Sequence, residues 1–159
     1  SFFNEIHKDK EYKEMAKIGN YLLEKIEAIN QKLVPCHKDI YGPNFVLIDG
    51  EMSLIDWEYS GMESKFFDYG DLCLQQNIQE DQRKDLFYSL KLQEGGDDQV
   101  LWNLYRYLSS ITWGLWATRK GALDQEVDKD YLKLGKNKIK SVFEAVNTEN
   151  FEKQLSRKY

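Results

Sequence analysis

Along the first part of the chain, apolar residues return at intervals of three and four: Met15, Ile18, Leu22, Ile26, Ile29 and Leu33. That interval lines one face of an amphipathic helix, predicted over about residues 9–33. Lys10, Glu14, Lys17, Glu24 and Lys25 fall on the opposite face, which reads as solvated. Pro35 has no amide hydrogen to continue the ladder, so the helix stops before it. The period then changes. Phe45–Ile48 and Glu51–Ile55 are short strand-like runs on either side of Asp49-Gly50, a strong hairpin signal. Gly61 and Gly70 flank a segment, residues 59–70, that reads as irregular. Beyond it the pattern is helical almost to the end, over about 70–77, 80–92, 97–120 and 129–156. Gly95-Gly96 marks a break, and Asp97 and Asp98 are candidate caps. The expected architecture is mainly α with a small β-hairpin at its active edge.

Composition narrows this only modestly. A chain of 159 residues can bury a core as one compact domain, and residues 1–159 show no repeat or linker. A net charge of −5 gives no reason to expect nucleic acid or an anionic membrane surface as a partner. The apolar runs are too short to span a bilayer and no signal-peptide pattern precedes the first helix, so no membrane insertion and a cytoplasmic location are expected. Cys36 and Cys73 stand at no metal-ligand spacing and read as reduced thiols.

The chemistry concentrates in His37-Lys38-Asp39 with Asn44, followed across the hairpin by Asp56. The order H-x-D-x-x-x-x-N, hairpin, Asp supplies what phosphoryl transfer needs. Asp39 receives the proton of an attacking hydroxyl, and Asn44 and Asp56 offer oxygens to a magnesium ion on the phosphates of ATP. Taken alone the motif is loose, since Asp39 could cap a turn. The hairpin and the second Asp at its far end make it specific. His37 belongs to this catalytic loop as the residue that orients its backbone rather than one that moves a proton. Asp68 is expected to hold the loop through backbone hydrogen bonds. Glu58 is a candidate substrate-binding residue that could equally support the metal site or pair with a basic side chain. Turn geometry sets the details. A three-residue loop, Ile48-Asp49-Gly50, puts Asn44 opposite Leu54 and on one face with Asp56. A strict two-residue loop pairs Asn44 with Ile55 and turns Asp56 to the other face unless the strand end twists. The three-residue form is the expectation.

A second cluster is aromatic. Trp113 and Trp116, three residues apart, share a helix face, and Gly114 between them allows a close approach to the backbone. Tyr131 opens the next helix, after the connection from Asp124 to Asp130. Such rings attract a quaternary ammonium, each contributing ~0.5–2 kcal/mol according to desolvation. Paired tryptophans at this spacing are also ordinary core packing.

These residues resemble the choline/ethanolamine kinase family, within the aminoglycoside-phosphotransferase-like group of protein-kinase-like folds. His37-Lys38-Asp39 with Asn44 is similar to its catalytic-loop motif, Ile55-Asp56-Trp57-Glu58-Tyr59-Ser60 to its I-D-[FW]-E-Y-S segment, and Phe67-Asp68-Tyr69-Gly70 to the following F-D-x-G. Trp113-Gly114-Leu115-Trp116 resembles the W-G-L-W helix of its choline cage, with Tyr131 where a third ring is expected. The likeness covers the chain from about residue 35 onward. It implies ATP-dependent, Mg²⁺-dependent phosphorylation of choline to phosphocholine. Asp39 is then the base, Asn44 and Asp56 the metal ligands, and Trp113, Trp116 and Tyr131 the ammonium cage. It also implies the helical C-terminal lobe of a two-lobe kinase fold. No Gly-rich loop or strand lysine precedes the motif, so the N-terminal nucleotide-gripping lobe is expected as a missing partner in cis, and the chain alone is expected to be inactive. Two positions depart from the family pattern: Lys38 stands where Asn is usual, and Gln75 roughly where eukaryotic members carry a substrate-facing carboxylate. Ethanolamine, an aminoglycoside-type substrate and a non-catalytic choline-binding module are the competing readings.

Overall fold

The computed structural model describes residues 10–123, 129–146, 151 and 153. In order these form α1 (Lys10–Glu27), β1 (Leu33–Cys36), a 3₁₀ turn (Gly42–Asn44), β2 (Phe45–Ile48), β3 (Glu51–Leu54) and a second 3₁₀ turn (Trp57–Tyr59). Then follow β4 (Gly61–Ser64), α2 (Lys65–Gln75), α3 (Glu80–Ser89), α4 (Asp97–Leu123) and α5 (Lys129–Val146). The mainly helical architecture is the one expected, with two ribbons where one hairpin was foreseen. Two compact units share the chain. One comprises Ile29–Ser109, the other the described residues up to Ala28 and from Ser110 on, so α4 contributes its first part to one and its last part to the other.

In the Ile29–Ser109 unit, β1 pairs antiparallel with β4, Leu33 facing Ser64 and Cys36 facing Gly61. The first helix ends at Glu27, short of the predicted 33; of that stretch only Leu33 joins the ribbon, which also takes up part of the irregular segment. Pro35 fits it because a two-stranded ribbon leaves an outer edge where no amide hydrogen is required. The ribbon delivers β1 directly into His37 and β4 directly into α2. Ser64 is the cap there, its Oγ accepting from Phe66 N (3.4 Å), so α2 starts five residues earlier than the pattern suggested. Helix α2 lies close on α4 at Gly70: a Cβ there would stand 2.7 Å from the Tyr105 backbone carbon. Phe66, Phe67, Phe87, Trp102, Leu104 and Tyr105 fill the core around that contact. Helix α3 opens with a reciprocal capping box between Gln79 and Gln82.

The hairpin of β2 and β3 pairs Phe45 with Leu54 and Ile48 with Glu51. Only Asp49 and Gly50 form the loop, with φ of 53° and 86°. The expected three-residue loop is therefore wrong. Asp-Gly accepts two consecutive left-handed residues, the twist that a two-residue hairpin connection favours.

In the other unit, Met15, Leu22 and Ile26 of α1 are buried as the periodicity indicated, and α1 packs against α5. Glu14 and Lys17 pair on the outer face at 2.9 Å. The starting residue 9, the Lys10 side chain, the connection 124–128 and most of the predicted helical stretch 147–156 lie outside the described residues; Phe151 and Lys153 are helical. Among the described residues, no helix is long and apolar enough to cross a membrane.

Candidate functional site

The loop after β1 is held by carboxylates that take its backbone N–H groups. Asp68 accepts from His37 N and from Lys38 N, both at 2.8 Å, one with each oxygen. This is the holding role expected of it. Asp71, one helical turn further along α2, accepts from Ile40 N at 2.7 Å and from the Ser109 hydroxyl at 2.8 Å, and is fully buried. Asp71 was missed in the sequence. Its three-residue spacing from Asp68 on a helix was the available signal, since it sets both carboxyls on one face toward the same loop. Lys38 sits at φ 70°, so the loop reverses there in the left-handed region that favours Gly or Asn.

His37 is buried and its ring bridges two segments. Nδ1 accepts from Asp39 N (3.3 Å), so Nε2 carries the proton that it donates to the Ile55 carbonyl (2.8 Å). With both nitrogens committed, the ring fixes the loop to the end of β3, in keeping with an orienting role. The Trp57 indole meets it edge-on at 4.6 Å and donates Nε1 to Leu54 O (2.9 Å).

Asn44 is buried at the end of the first 3₁₀ turn. Its Nδ2 donates to Asp39 O (3.0 Å) and to Asp39 Oδ2 (3.1 Å), while its carbonyl O accepts from Ile55 N (2.9 Å). Asn44 thus pairs with Ile55 rather than Leu54, as the two-residue loop dictates. Strand alternation would then turn Asp56 away. Asp56 instead takes φ 65°, ψ 61°, a left-handed break that ends the strand and re-aims the chain. Asp56 and Glu58 are both exposed, Glu58 in the first turn of the second 3₁₀ segment. The donor set suits a hard cation. The Asn44 amide spends its N–H group on Asp39 and keeps an oxygen, and Asp56 offers a solvent-facing carboxylate; magnesium takes such oxygens and retains water. Among the described residues, no cluster of three or more His, Cys, Asp or Glu could hold a metal, so any ion here relies on this smaller set.

Cys36, just before the loop, is buried with its thiol pointing to Ser64 O (3.4 Å), and Cys73 is buried on α2. Burial first, then the charges of Asp68 and Glu63, push the Cys36 thiol up to about 11. Both cysteines are free thiols.

The aromatic residues gather in the other unit. Trp113 and Trp116 meet edge-to-face at 5.5 Å, and Tyr131 of α5 meets Trp116 at 5.8 Å. All three are half-buried. The Gly114 backbone is approached by α5 rather than by a ligand. A Cβ on Gly114 would lie 2.8 Å from Ile139 Cγ1, and one on Gly135 would clash with Thr118 Oγ1 and lie 2.7 Å from Gly114 O. This helix crossing brings Tyr131 to the tryptophans. A residue overlooked in the sequence joins them: the Lys120 ammonium lies 4.9 Å from the Trp116 ring centre and 5.1 Å from that of Tyr131. The i, i+4 spacing from Trp116 was its signal.

Comparison with known proteins adds to these contacts. The chain is 26% identical over 161 aligned residues to a probable ethanolamine kinase A of Dictyostelium discoideum, covering 89% of this chain and 46% of that protein. A choline/ethanolamine kinase family protein of Mesorhizobium loti superposes with a TM-score of 0.76 at 24% identity, over 92% of this chain and 50% of the other. A LicA protein solved in complex with AMP superposes with a TM-score of 0.68 at 19% identity, over 86% and 48%. The chain spans half or less of each of these proteins. The choline/ethanolamine kinase family model matches residues 2–94. That match begins earlier than the likeness read from residue 35 onward, and it stops short of the tryptophan helix. By a match over more than half its length, the chain belongs to the choline/ethanolamine kinase family.

Proposed function

We propose that this chain provides the catalytic loop, magnesium ligands and ammonium-binding rings of an ATP-dependent kinase that phosphorylates choline to phosphocholine. The observation that carries the reading is the Asn44 amide donating to both the backbone and the side-chain oxygens of Asp39. It fixes the carboxylate through Oδ2 and leaves Oδ1 to accept a substrate hydroxyl. As that oxygen attacks the terminal phosphate of ATP, its O–H proton passes to Asp39 while the bond to the ADP oxygen breaks. Such a transition state is loose, so orientation outweighs base strength, and a loop tied at four consecutive residues suits that demand. Magnesium, when bound, neutralises phosphate charge; Asn44 Oδ1 and the Asp56 carboxylate are the groups that would hold it. His37 keeps the loop in place. Trp113, Trp116 and Tyr131 take the trimethylammonium group, and Glu58 is assigned a substrate contact.

Residues 1–159 are proposed to act as one C-terminal lobe, with the nucleotide gripped by a further N-terminal lobe in cis. The chain alone should then bind its amino alcohol without turning it over. Ethanolamine is the second reading, favoured by the likeness to the Dictyostelium protein. A primary ammonium, however, wants three hydrogen-bond acceptors more than ring faces.

Two measurements test this. In a chain extended by its nucleotide-binding lobe, Asp39→Asn should lower kcat by about 100-fold or more while leaving choline affinity within about twofold. Undiminished turnover would remove Asp39 from the base role. Calorimetric titration of the chain with choline and ethanolamine should show that Trp113→Ala weakens choline more. Equal losses would reduce the indole to packing.

A further inference from the structure

We infer that Lys120 is an internal occupant of the ring cluster, and that an external ammonium binds there only by displacing it. The inference rests on the reading of Trp113, Trp116 and Tyr131 as a cation site and adds what that site holds in the free chain. The Lys120 Nζ lies 4.9 and 5.1 Å from the centres of two rings on different helices, within the distance at which a ring quadrupole attracts a cation. The arrangement follows from the helix. Lys120 stands four residues after Trp116 and seven after Trp113, on the same stripe, in the last turn of α4.

Occupancy is also reversible by construction. Lys120 is exposed, so its four-carbon stem can swing the ammonium into water without unpacking anything. A ligand cation and the lysine therefore compete for the same ring faces. Competition lowers the apparent affinity of every ligand by the same factor, because the factor is the fraction of chains whose rings are vacant. A weakly hydrated quaternary ammonium leaves water more readily than the lysine does, so it can win the rings despite the tether.

The test is titration of the full chain by tryptophan fluorescence with tetramethylammonium and with choline. Wild type, Lys120→Met, Lys120→Gln and Trp116→Ala are compared after thermal melts confirm folding. Both Lys120 variants should bind about 3- to 30-fold more tightly than wild type. The gain should be the same for both cations, and Trp116→Ala should weaken binding. Unchanged or weaker binding by both Lys120 variants, with Trp116→Ala still harmful, would overturn the displacement and leave the ring site standing. Failure of either cation to bind wild type or the Lys120 variants would overturn the ring site itself, and the inference with it.

Discussion

The loop of His37–Asn44 and the ring cluster of Trp113, Trp116 and Tyr131 are assembled by opposite means. Around the loop, polar side chains satisfy backbone groups one by one: Asp68 takes two N–H groups, Asp71 a third, the His37 ring a fourth, and Asn44 closes back on Asp39. Around the rings the ordering contact is the absence of side chains, at Gly114 and Gly135, which lets two helices approach until their aromatics touch. A polar scaffold fixes directions, as the proposed base and metal ligands need. A steric one fixes a surface, which is enough for the proposed round cation, which would bind faces rather than lone pairs.

The sharpest way to break the polar scaffold is Asp71→Ala. It strands the Ile40 amide and the Ser109 hydroxyl without acceptors in a dry site, each costing about 1–3 kcal/mol, for a total of about 2–6 kcal/mol. Chemical denaturation measures it, and Asp71→Asn, which keeps one acceptor oxygen, should lose roughly half as much. Equal losses in the two variants would mean that the loop does not depend on these bonds.

The counterpart in the steric scaffold is Gly135→Ala. Alanine favours helix by about 1 kcal/mol over glycine, but its Cβ would press on Thr118 Oγ1 and on the Gly114 carbonyl. The clash with backbone atoms dominates, and a net loss of about 1–3 kcal/mol is expected in thermal or urea unfolding. Near-UV circular dichroism should change too, because Tyr131 and Trp116 separate. An unchanged aromatic spectrum would show that the rings do not need the crossing.

The same contrast explains what could be read in advance. The hold of Asp68 on the loop was legible because a polar scaffold requires particular residue types at particular spacings. The helical periodicity of Met15, Leu22 and Ile26 was legible because burial imposes it. The β1–β4 ribbon was not, because its strands are four residues each, pair residues 25 to 31 positions apart, and include Pro35, so nothing local marks their pairing. Asp71 escaped notice because residues 59–70 read as irregular, which hid that Asp68 and Asp71 share one face of a helix starting at Lys65. Gly114 was noticed, but only the position of α5 says what approaches it. The hairpin failed differently. Both loop lengths satisfy Asp49-Gly50, and although aspartate tolerates the left-handed region better than most residues, nothing local marks Asp56 as the one that breaks there.

Lys38 offers the smallest effect and isolates one detail of the polar scaffold. Its φ of 70° is held between anchors on either side: Asp68 fixes the His37 and Lys38 amides while the His37 ring and Asp71 fix those of Asp39 and Ile40, so the residue cannot relax to the right-handed region without breaking one of these bonds. A lysine there is strained by about 1 kcal/mol, and asparagine tolerates the conformation better. The strain is offset in part by the lysine ammonium, 5.5 Å from the centre of the buried Phe67 ring, a half-buried contact of about 0.5 kcal/mol. Lys38→Asn relieves the first and forfeits the second, so it should stabilise by at most ~0.5 kcal/mol. Lys38→Ala forfeits the ring contact with no relief and should destabilise by a similar amount. Thermal melts should therefore rank Asn above Lys above Ala, with about 2–4 °C across the series. An alanine variant as stable as the asparagine one would show that the loop, despite its four anchors, feels no strain at Lys38.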